Sequence, residues 1–224
     1  MSTVKIAIDG PAGAGKSTIA KIVAKELGFI YIDTGAMYRA VALKAIRNNI
    51  DTKSQINEVC SLLDDLNIDI RHDKEGQLVF LDNEDVTDKI RTSEVSVGAS
   101  NVACIPEVRM KLVELQRKLA EKHNVIMDGR DIGTYVLPDA DVKIFLTASV
   151  EERAKRRYDE MILKGYKCTF EEVKKDIEYR DQNDSSRAFA PLRPADDAII
   201  IDTTGNELNQ SVDIILNTIK ERLQ

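Results

Sequence analysis

Short apolar runs alternate with amphipathic stretches along the 224 residues of the chain. Five runs are nearly continuous in β-branched and other apolar residues, which is typical of strands buried on both faces of a parallel sheet. They are Val4–Asp9, Phe29–Asp33, Val125–Asp128, Val142–Ala148 and Ala198–Asp202. The stretches with helical spacing between them are Lys16–Leu27, Met37–Asn48, Val108–Lys122, Val150–Leu163, Phe170–Tyr179 and Leu208–Leu223. This alternation predicts βαβ units and a doubly wound α/β fold.

One segment, from about Ile56 to Ser100, interrupts the alternation. Within it, NIDIRHDKEGQLVFLDNEDVT contains two short alternating stretches on either side of a turn at Asp73–Gly76. Such a pattern is typical of an antiparallel hairpin, which does not belong inside a parallel sheet. The sequence therefore predicts one core domain over residues 1–224 with a small antiparallel insertion over about 56–100.

A glycine-rich loop that ends in a lysine follows the first predicted strand directly. Residues 10–17 read GPAGAGKS and match G-x-x-x-x-G-K-[ST] at every fixed position. In this motif the backbone N–H groups and the N-terminus of the next helix bind phosphate oxygens, Lys16 reaches the β- and γ-phosphates, and the Ser17 hydroxyl binds Mg²⁺. The sequence predicts a nucleoside triphosphate site made of Gly10, Pro11, Ala12, Gly13, Ala14, Gly15, Lys16, Ser17 and Thr18.

Composition and charge exclude several classes of protein. A formal net charge of −6 disfavours a polynucleotide-binding surface, and no run of about 18 apolar residues predicts a membrane span. The few residues before the loop leave no room for a signal peptide. Cys60, Cys104 and Cys168 are odd in number and form no CxxC motif, which indicates a reducing compartment and no zinc site. We expect a cytoplasmic protein, and its acidic surface without heptads favours a monomer.

Arginines cluster where the chain is predicted to leave its strands. They are Arg39 in DTGAMYR, Arg130 in DGRDIGT, Arg180 and Arg187 in RDQNDSSR, and Arg153, Arg156 and Arg157 in EERAKRR. Ligands of open α/β sheets bind at the carboxyl ends of the strands, although a solvated surface position is equally compatible with any single arginine.

The chemistry of a phosphoryl acceptor determines which side chains it needs. A hydroxyl acceptor needs a base, whereas a phosphate acceptor is already anionic and needs guanidinium groups that neutralise two polyanions. An arginine-rich rim without a catalytic histidine favours a phosphate acceptor. A kinase of small-molecule hydroxyl groups and a nucleotide-dependent switch stay open at this point.

The order of motifs along the whole chain resembles the bacterial cytidylate (CMP) kinases, a branch of the nucleoside monophosphate kinases. The resemblance rests on IDGPAGAGKST, DTGAMYR, IRTSEV, ASNVACIPEVR, MDGRDIGT, PDADVKIFLTAS, ERAKRR and RDQNDSSRAFAPL. The last motif has the RDxxDxxR spacing of the family at Arg180, Asp181, Asp184 and Arg187. Other kinases of the class share the first loop but not this series.

The resemblance implies a fold and a reaction. The fold is a P-loop kinase core with a five-stranded parallel sheet flanked by helices, an antiparallel insertion on the nucleotide-binding side and a helical lid over about 151–166. The reaction is the Mg²⁺-dependent transfer of the γ-phosphoryl group of ATP to CMP or dCMP, which gives ADP and CDP or dCDP.

The resemblance also implies roles for individual residues. Arg39, Arg130 and Arg187 contact the acceptor phosphate; Ser100, Arg109 and Asp131 contact the cytosine; Arg180 and Asp184 contact the sugar; Thr34 belongs to the same site; and Arg153 and Arg157 of the lid contact the donor phosphates. The implied catalytic set is Lys16, Arg130, Arg153, Arg157 and Arg187. Asp128 ends a predicted strand, where it either holds the waters of Mg²⁺ or caps a turn.

Overall fold

Eight strands and eight α-helices make up the described part of the chain, residues 3–74 and 76–223 of a computed structural model. The strands are β1 (Lys5–Asp9), β2 (Ile30–Asp33), β3 (Ile68–His72), β4 (Gln77–Leu81), β5 (Glu84–Asp85), β6 (Val125–Gly129), β7 (Val142–Thr147) and β8 (Ile199–Asp202). The helices are α1 (Lys16–Leu27), α2 (Thr34–Arg47), α3 (Ile56–Ser61), α4 (Ser93–Val102), α5 (Pro106–Ala120), α6 (Val150–Leu163), α7 (Phe170–Ser186) and α8 (Leu208–Arg222).

Five of the strands form the parallel sheet that the apolar runs predict. Their order is β2-β6-β1-β7-β8, and every neighbouring pair is parallel. In β1, Ile6 and Ile8 pack with α1 and α8 on one face, whereas Ala7 packs with Val113 of α5 on the other. Both faces of the sheet are therefore covered, which explains the continuous apolar runs and confirms the predicted α/β fold. Because β1 is central, the loop that follows it lies at the middle of the sheet edge.

The insertion contains an antiparallel sheet of order β3-β4-β5, as predicted. The Asp73 N–H donates to the Gly76 carbonyl at 3.0 Å across the predicted turn, whose residue 75 lies outside the described residues. Two helices of this segment, α3 and the larger part of α4, were not predicted. The pattern of α4 is dominated by small residues, and an added Cβ on Gly98 would lie only 3.1 Å from the Ala42 Cβ of α2. Close packing against α2, rather than an apolar stripe, accounts for this helix.

Several helix ends differ from the predictions. Helix α2 begins at Thr34 rather than Met37, because the Asp33 carboxylate accepts the Ala36 N–H at 2.9 Å and caps the helix. Helix α7 continues to Ser186, past the predicted end at Tyr179, so that Arg180 and Asp184 lie on the same face one turn apart. No helix in the described ranges has the length and apolar character needed to cross a membrane.

Candidate active site

The glycine-rich loop runs from the end of β1 to the start of α1, and its backbone requires glycine. Gly10, Gly13 and Gly15 have φ angles of 148°, 74° and 88°. A Cβ on Gly10 would lie 1.9 Å from the Leu146 carbonyl oxygen, and one on Gly13 would lie 2.9 Å from the Arg153 carbonyl oxygen. No side chain caps the N-terminus of α1. Its backbone N–H groups are therefore available to an anion.

The ammonium group of Lys16 lies under this loop. Lys16 is 5% exposed, and its Nζ donates to the Pro11 carbonyl at 2.7 Å. Burial and the neighbouring charges of Arg130 and Arg180 hold the pKa of Lys16 well below its usual value. An anion bound in the loop would relieve this unfavourable environment.

The Asp128 carboxylate at the end of β6 accepts two hydroxyl groups. Ser17 Oγ donates to Oδ2 and Tyr31 Oη donates to Oδ1, both at 2.8 Å. Burial, with the charge of Asp33 as a smaller cause, raises the pKa of Asp128 to about 6. Tyr31 was missed in the sequence, although a tyrosine within a run predicted to be buried on both faces signals a polar partner.

A cleft of about 1200 Å³ joins this loop to the carboxyl ends of β2 and β6 and to α4, α6 and α7. Every residue of the predicted CMP site lines it: Thr34, Arg39, Ser100, Arg109, Arg130, Asp131, Arg180, Asp184 and Arg187. Of the predicted loop residues, Gly13 to Thr18 line the same cleft, whereas residues 10–12 are not among its lining residues. Residues from ten separate segments of the chain thus surround one space.

The arginines of the cleft carry more positive charge than their partners neutralise. Burial and the charges of other arginines lower the pKa of Arg39 to about 9 and that of Arg180 to about 10. Arg130 Nε donates to Asp184 at 2.6 Å. In contrast, the buried Nε of Arg180 and Nη2 of Arg187 have no hydrogen-bond acceptor in the described part of the chain. Buried donors of this kind require an acceptor, which an anionic ligand supplies.

At the far end of the cleft, Arg109 forms an ion pair with Asp131. Arg109 is 1% exposed, its Nη2 donates to the Asp131 carboxylate, and its Nη1 donates to the Ala103 carbonyl at 3.2 Å. Arg187 Nη2 lies 3.4 Å from the other oxygen of Asp131. Beside this pair, Asn183 Nδ2 donates to Ser100 Oγ at 3.2 Å. This end of the cleft therefore presents directional polar groups that are already oriented.

The two arginines of α6 in the predicted catalytic set occupy different places. Arg157 lines the cleft and pairs with Glu160 at 2.7 Å. Arg153 lies behind the phosphate loop, where it donates to the Ala12 carbonyl at 2.9 Å and to Asp181 at 2.7 Å. Arg153 is not among the described residues that line the cleft. Its contact with donor phosphates stays a prediction, and its observed contacts support the loop.

Two further arginines line the cleft, and no role was predicted for either of them from the sequence. Arg91 pairs with Asp33 at 3.0 Å where β2 ends. Arg156 donates to the Thr203 carbonyl at 2.7 Å after β8. Both residues stand in quoted motifs, IRTSEV and ERAKRR, and these motifs were the available signal.

Asp9, the last residue of β1, joins the phosphate loop to the segment that carries Asp131. Its two carboxylate oxygens accept the N–H groups of Ile132 and Gly133, both at 2.8 Å. Burial is the largest cause that raises the pKa of Asp9 to about 7, and the charge of Asp131 adds to it.

We expect Asp9 to make stability depend on pH. Its pKa of about 7 in the folded protein lies above the ordinary value of an aspartate, so its favourable contribution is full below about pH 4 and is lost as the pH rises towards 7. Relative to an Asp9→Asn variant, the free energy of unfolding of the natural chain should fall by up to about 4 kcal/mol over this range. Urea denaturation of both proteins from pH 4.5 to 7.5 measures this difference. A constant difference would mean that Asp9 titrates in its ordinary range.

Comparisons with known proteins agree with this geometry. A sequence model of the cytidylate kinase family matches residues 6–221. The cytidylate kinase of Caldicellulosiruptor saccharolyticus is 53% identical over 221 residues, which are 99% of this chain and 96% of that protein. That of Halalkalibacterium halodurans is 51% identical over 100% of both chains. A gluconokinase structure from Sinorhizobium meliloti covers 98% of this chain and 95% of its own, with a TM-score of 0.51 and 12% identity, and this likeness concerns the fold alone.

The parallel sheet, the glycine-rich loop and the arginine-lined cleft define a P-loop kinase. Within this class, the chain belongs to the cytidylate kinase family.

Proposed function

We propose that this kinase transfers the γ-phosphoryl group of ATP to the phosphate of CMP or dCMP, with ADP and CDP or dCDP as products. The observation that carries the proposal is the surplus of buried guanidinium charge beside the phosphate loop. Arg39 and Arg180 have lowered pKa values, and Arg180 Nε and Arg187 Nη2 lack acceptors among the described residues. An acceptor that is itself a phosphate supplies the missing negative charge and oxygen atoms.

The two carboxylates of the predicted acceptor site are engaged by arginines, and neither histidine lies in the cleft, which disfavours a hydroxyl acceptor. Asp184 is paired with Arg130, and Asp131 is paired with Arg109. Neither His72 nor His123 lines the cleft. A phosphate oxygen needs no base, because it is already an anionic nucleophile.

The chain contributes positions and charges to the reaction. Backbone N–H groups of the loop and Lys16 bind the β- and γ-phosphates, while Arg39, Arg130 and Arg187 orient the acceptor phosphate in line with them. Closure of α6 and its Arg157 over the donor excludes water, which would otherwise accept the phosphoryl group. Arg153 supports the loop from behind and is proposed to reach the donor phosphates only when the lid moves.

Ser17 and Asp128 fit a magnesium ion. Both offer oxygen atoms, and the raised pKa of Asp128 indicates a buried carboxylate with too little positive charge near it. The described residues contain no cluster of three or more His, Cys, Asp or Glu side chains arranged for a metal, so the nucleotide phosphates and water would complete the coordination. When bound, Mg²⁺ neutralises phosphate charge during the transfer.

Location and assembly stay predictions. The three cysteines are free thiols, in keeping with a reducing cytoplasm. We further propose a monomer that acts on nucleotides and not on polynucleotides.

The proposal is tested by coupled measurement of ADP release with a panel of acceptors. We expect CMP and dCMP to accelerate ADP release at least about a hundredfold over the rate without acceptor, and UMP, AMP and GMP to do so less. Acceleration by a small hydroxyl compound and not by CMP would identify a hydroxyl kinase. Slow ATP or GTP hydrolysis that no acceptor changes would identify a switch.

A further inference from the structure

Two aromatic rings lie against the guanidinium group of Arg109. Its Cζ atom is 5.6 Å from the centroid of the Tyr38 ring and 5.9 Å from that of the Phe189 ring. The two terminal nitrogen atoms of the same guanidinium group donate hydrogen bonds to Asp131 and to the Ala103 carbonyl. The edge contacts orient two nitrogen atoms, and the rings restrict rotation of the guanidinium plane.

The Phe189 ring is itself held by Tyr135, which follows Asp131 closely in the chain. The Phe189 and Tyr135 rings meet edge to face, with centroids 4.9 Å apart and planes at 75°. Arg117 lies 5.5 Å from the Tyr135 ring and donates to the Tyr135 carbonyl at 2.7 Å. Arg109 and Arg117 both belong to α5, so the series Arg109, Phe189, Tyr135 and Arg117 starts and ends on one rigid helix.

Residues of the acceptor site also hold the loop that carries Phe189. Arg187 Nε donates to the Ala190 carbonyl at 2.7 Å, and the Leu192 N–H donates to the Asp184 carbonyl at 2.7 Å. Ala190 has a φ of 47°, a left-handed conformation that is uncommon for a residue with a Cβ. A backbone held in this way indicates that the position of the Phe189 ring is specified rather than incidental.

We propose that Phe189 is a specificity-determining positioning residue, which acts through Arg109 on the choice between cytosine and uracil. The inference rests on the proposed CMP kinase activity. Arg109 Nε is buried and has no acceptor in the described part of the chain, so it is available to a base. Cytosine and uracil differ in which ring atoms donate and accept, and a guanidinium that can rotate serves either. A fixed guanidinium favours the base whose acceptors match its direction.

The test compares kcat and KM for CMP and UMP in Phe189→Leu and Phe189→Ala. Removing the aromatic face should raise the KM for CMP about fivefold to tenfold and lower the CMP-to-UMP ratio of kcat/KM about fivefold. The KM for ATP and the kcat with CMP should stay within about twofold, since neither depends on the base contact. The leucine variant keeps apolar bulk in case the alanine variant folds poorly.

Phe80→Ala is the matched control. The Phe80 ring lies 4.1 Å from the guanidinium of Arg71 on the hairpin, so this variant removes a phenylalanine–arginine contact that does not line the cleft. Its CMP-to-UMP ratio should equal that of the natural chain.

An Arg109→Met background shows whether Phe189 acts through Arg109. Adding Phe189→Ala there should leave the CMP-to-UMP ratio unchanged. The inference would be overturned if Phe189→Ala lowered the CMP-to-UMP ratio equally in the natural chain and in Arg109→Met. It would also be overturned if the Phe189 variants had a lowered Tm but the CMP-to-UMP ratio of the natural chain. Calorimetric titration of the leucine variant with CMP and UMP measures the change in base preference as a ratio of affinities, independently of turnover. Failure of the natural chain to phosphorylate CMP would instead refute the proposed function.

Discussion

Replacing Lys16 with alanine is expected to lower kcat by two to three decades while the protein stays folded. The ammonium group is proposed to neutralise charge that develops on the β- and γ-phosphates, and losing one such contact costs about 3–4 kcal/mol in the transition state. Steady-state ADP release and a thermal melt measure the two effects. Because burial already lowers the pKa of Lys16, its removal relieves an unfavourable environment, and the Tm should not fall.

Lys25→Ala is the control for this prediction. Lys25 is exposed in the last turn of α1, the helix that Lys16 begins. The control should keep the kcat of the natural chain. A folded Lys16→Ala protein with near-natural kcat would contradict the assignment of the phosphate loop.

Replacing Asp131 with alanine is expected to abolish the preference for CMP over UMP. A carboxylate accepts a hydrogen bond from the exocyclic amine of cytosine, whereas it faces the lone pairs of the corresponding uracil carbonyl. A mismatched charged hydrogen bond costs about 1.5–3 kcal/mol, so the natural chain should discriminate by two decades or more over two such contacts. We expect kcat/KM for CMP to fall much further than that for UMP.

Asp131 has a second possible role in the structure, and the measurement must distinguish it from base recognition. Asp131 pairs with Arg109 and lies 3.4 Å from Arg187, so it also orients two arginines. If orientation is its only role, kcat/KM for CMP and UMP fall equally. Asp131→Asn distinguishes the two explanations further, since its amide keeps the volume and can donate to the uracil carbonyl. We expect this variant to shift activity towards UMP.

Strands and most helices could be predicted because their signals are local. The run VKIAID has apolar residues facing both ways, with Ile6 and Ile8 on one face and Ala7 on the other. Helices α1 and α6 have the predicted bounds because their apolar spacing coincides with a glycine C-cap at Gly28 and a serine N-cap at Ser149, respectively. Helix α4 was missed because Gly98, Ala99 and Ser100 pack by small size rather than by an apolar stripe. The end of α7 was missed because residues 180–186 are all polar and form no apolar stripe, although Arg180 and Asp184 line the cleft.

The sequence by itself determined the phosphate loop, since its function depends on backbone sterics within eight consecutive residues. It also placed the arginines at strand ends, because strand ends follow directly from the apolar runs. Only the tertiary structure decided which partner each arginine contacts. Arg153 donates to Asp181 behind the loop, and Arg130 donates to Asp184. Arg109 lies against the ring of Phe189. The physical reason is that these energies depend on distance and burial between residues far apart in the chain, which no local pattern records.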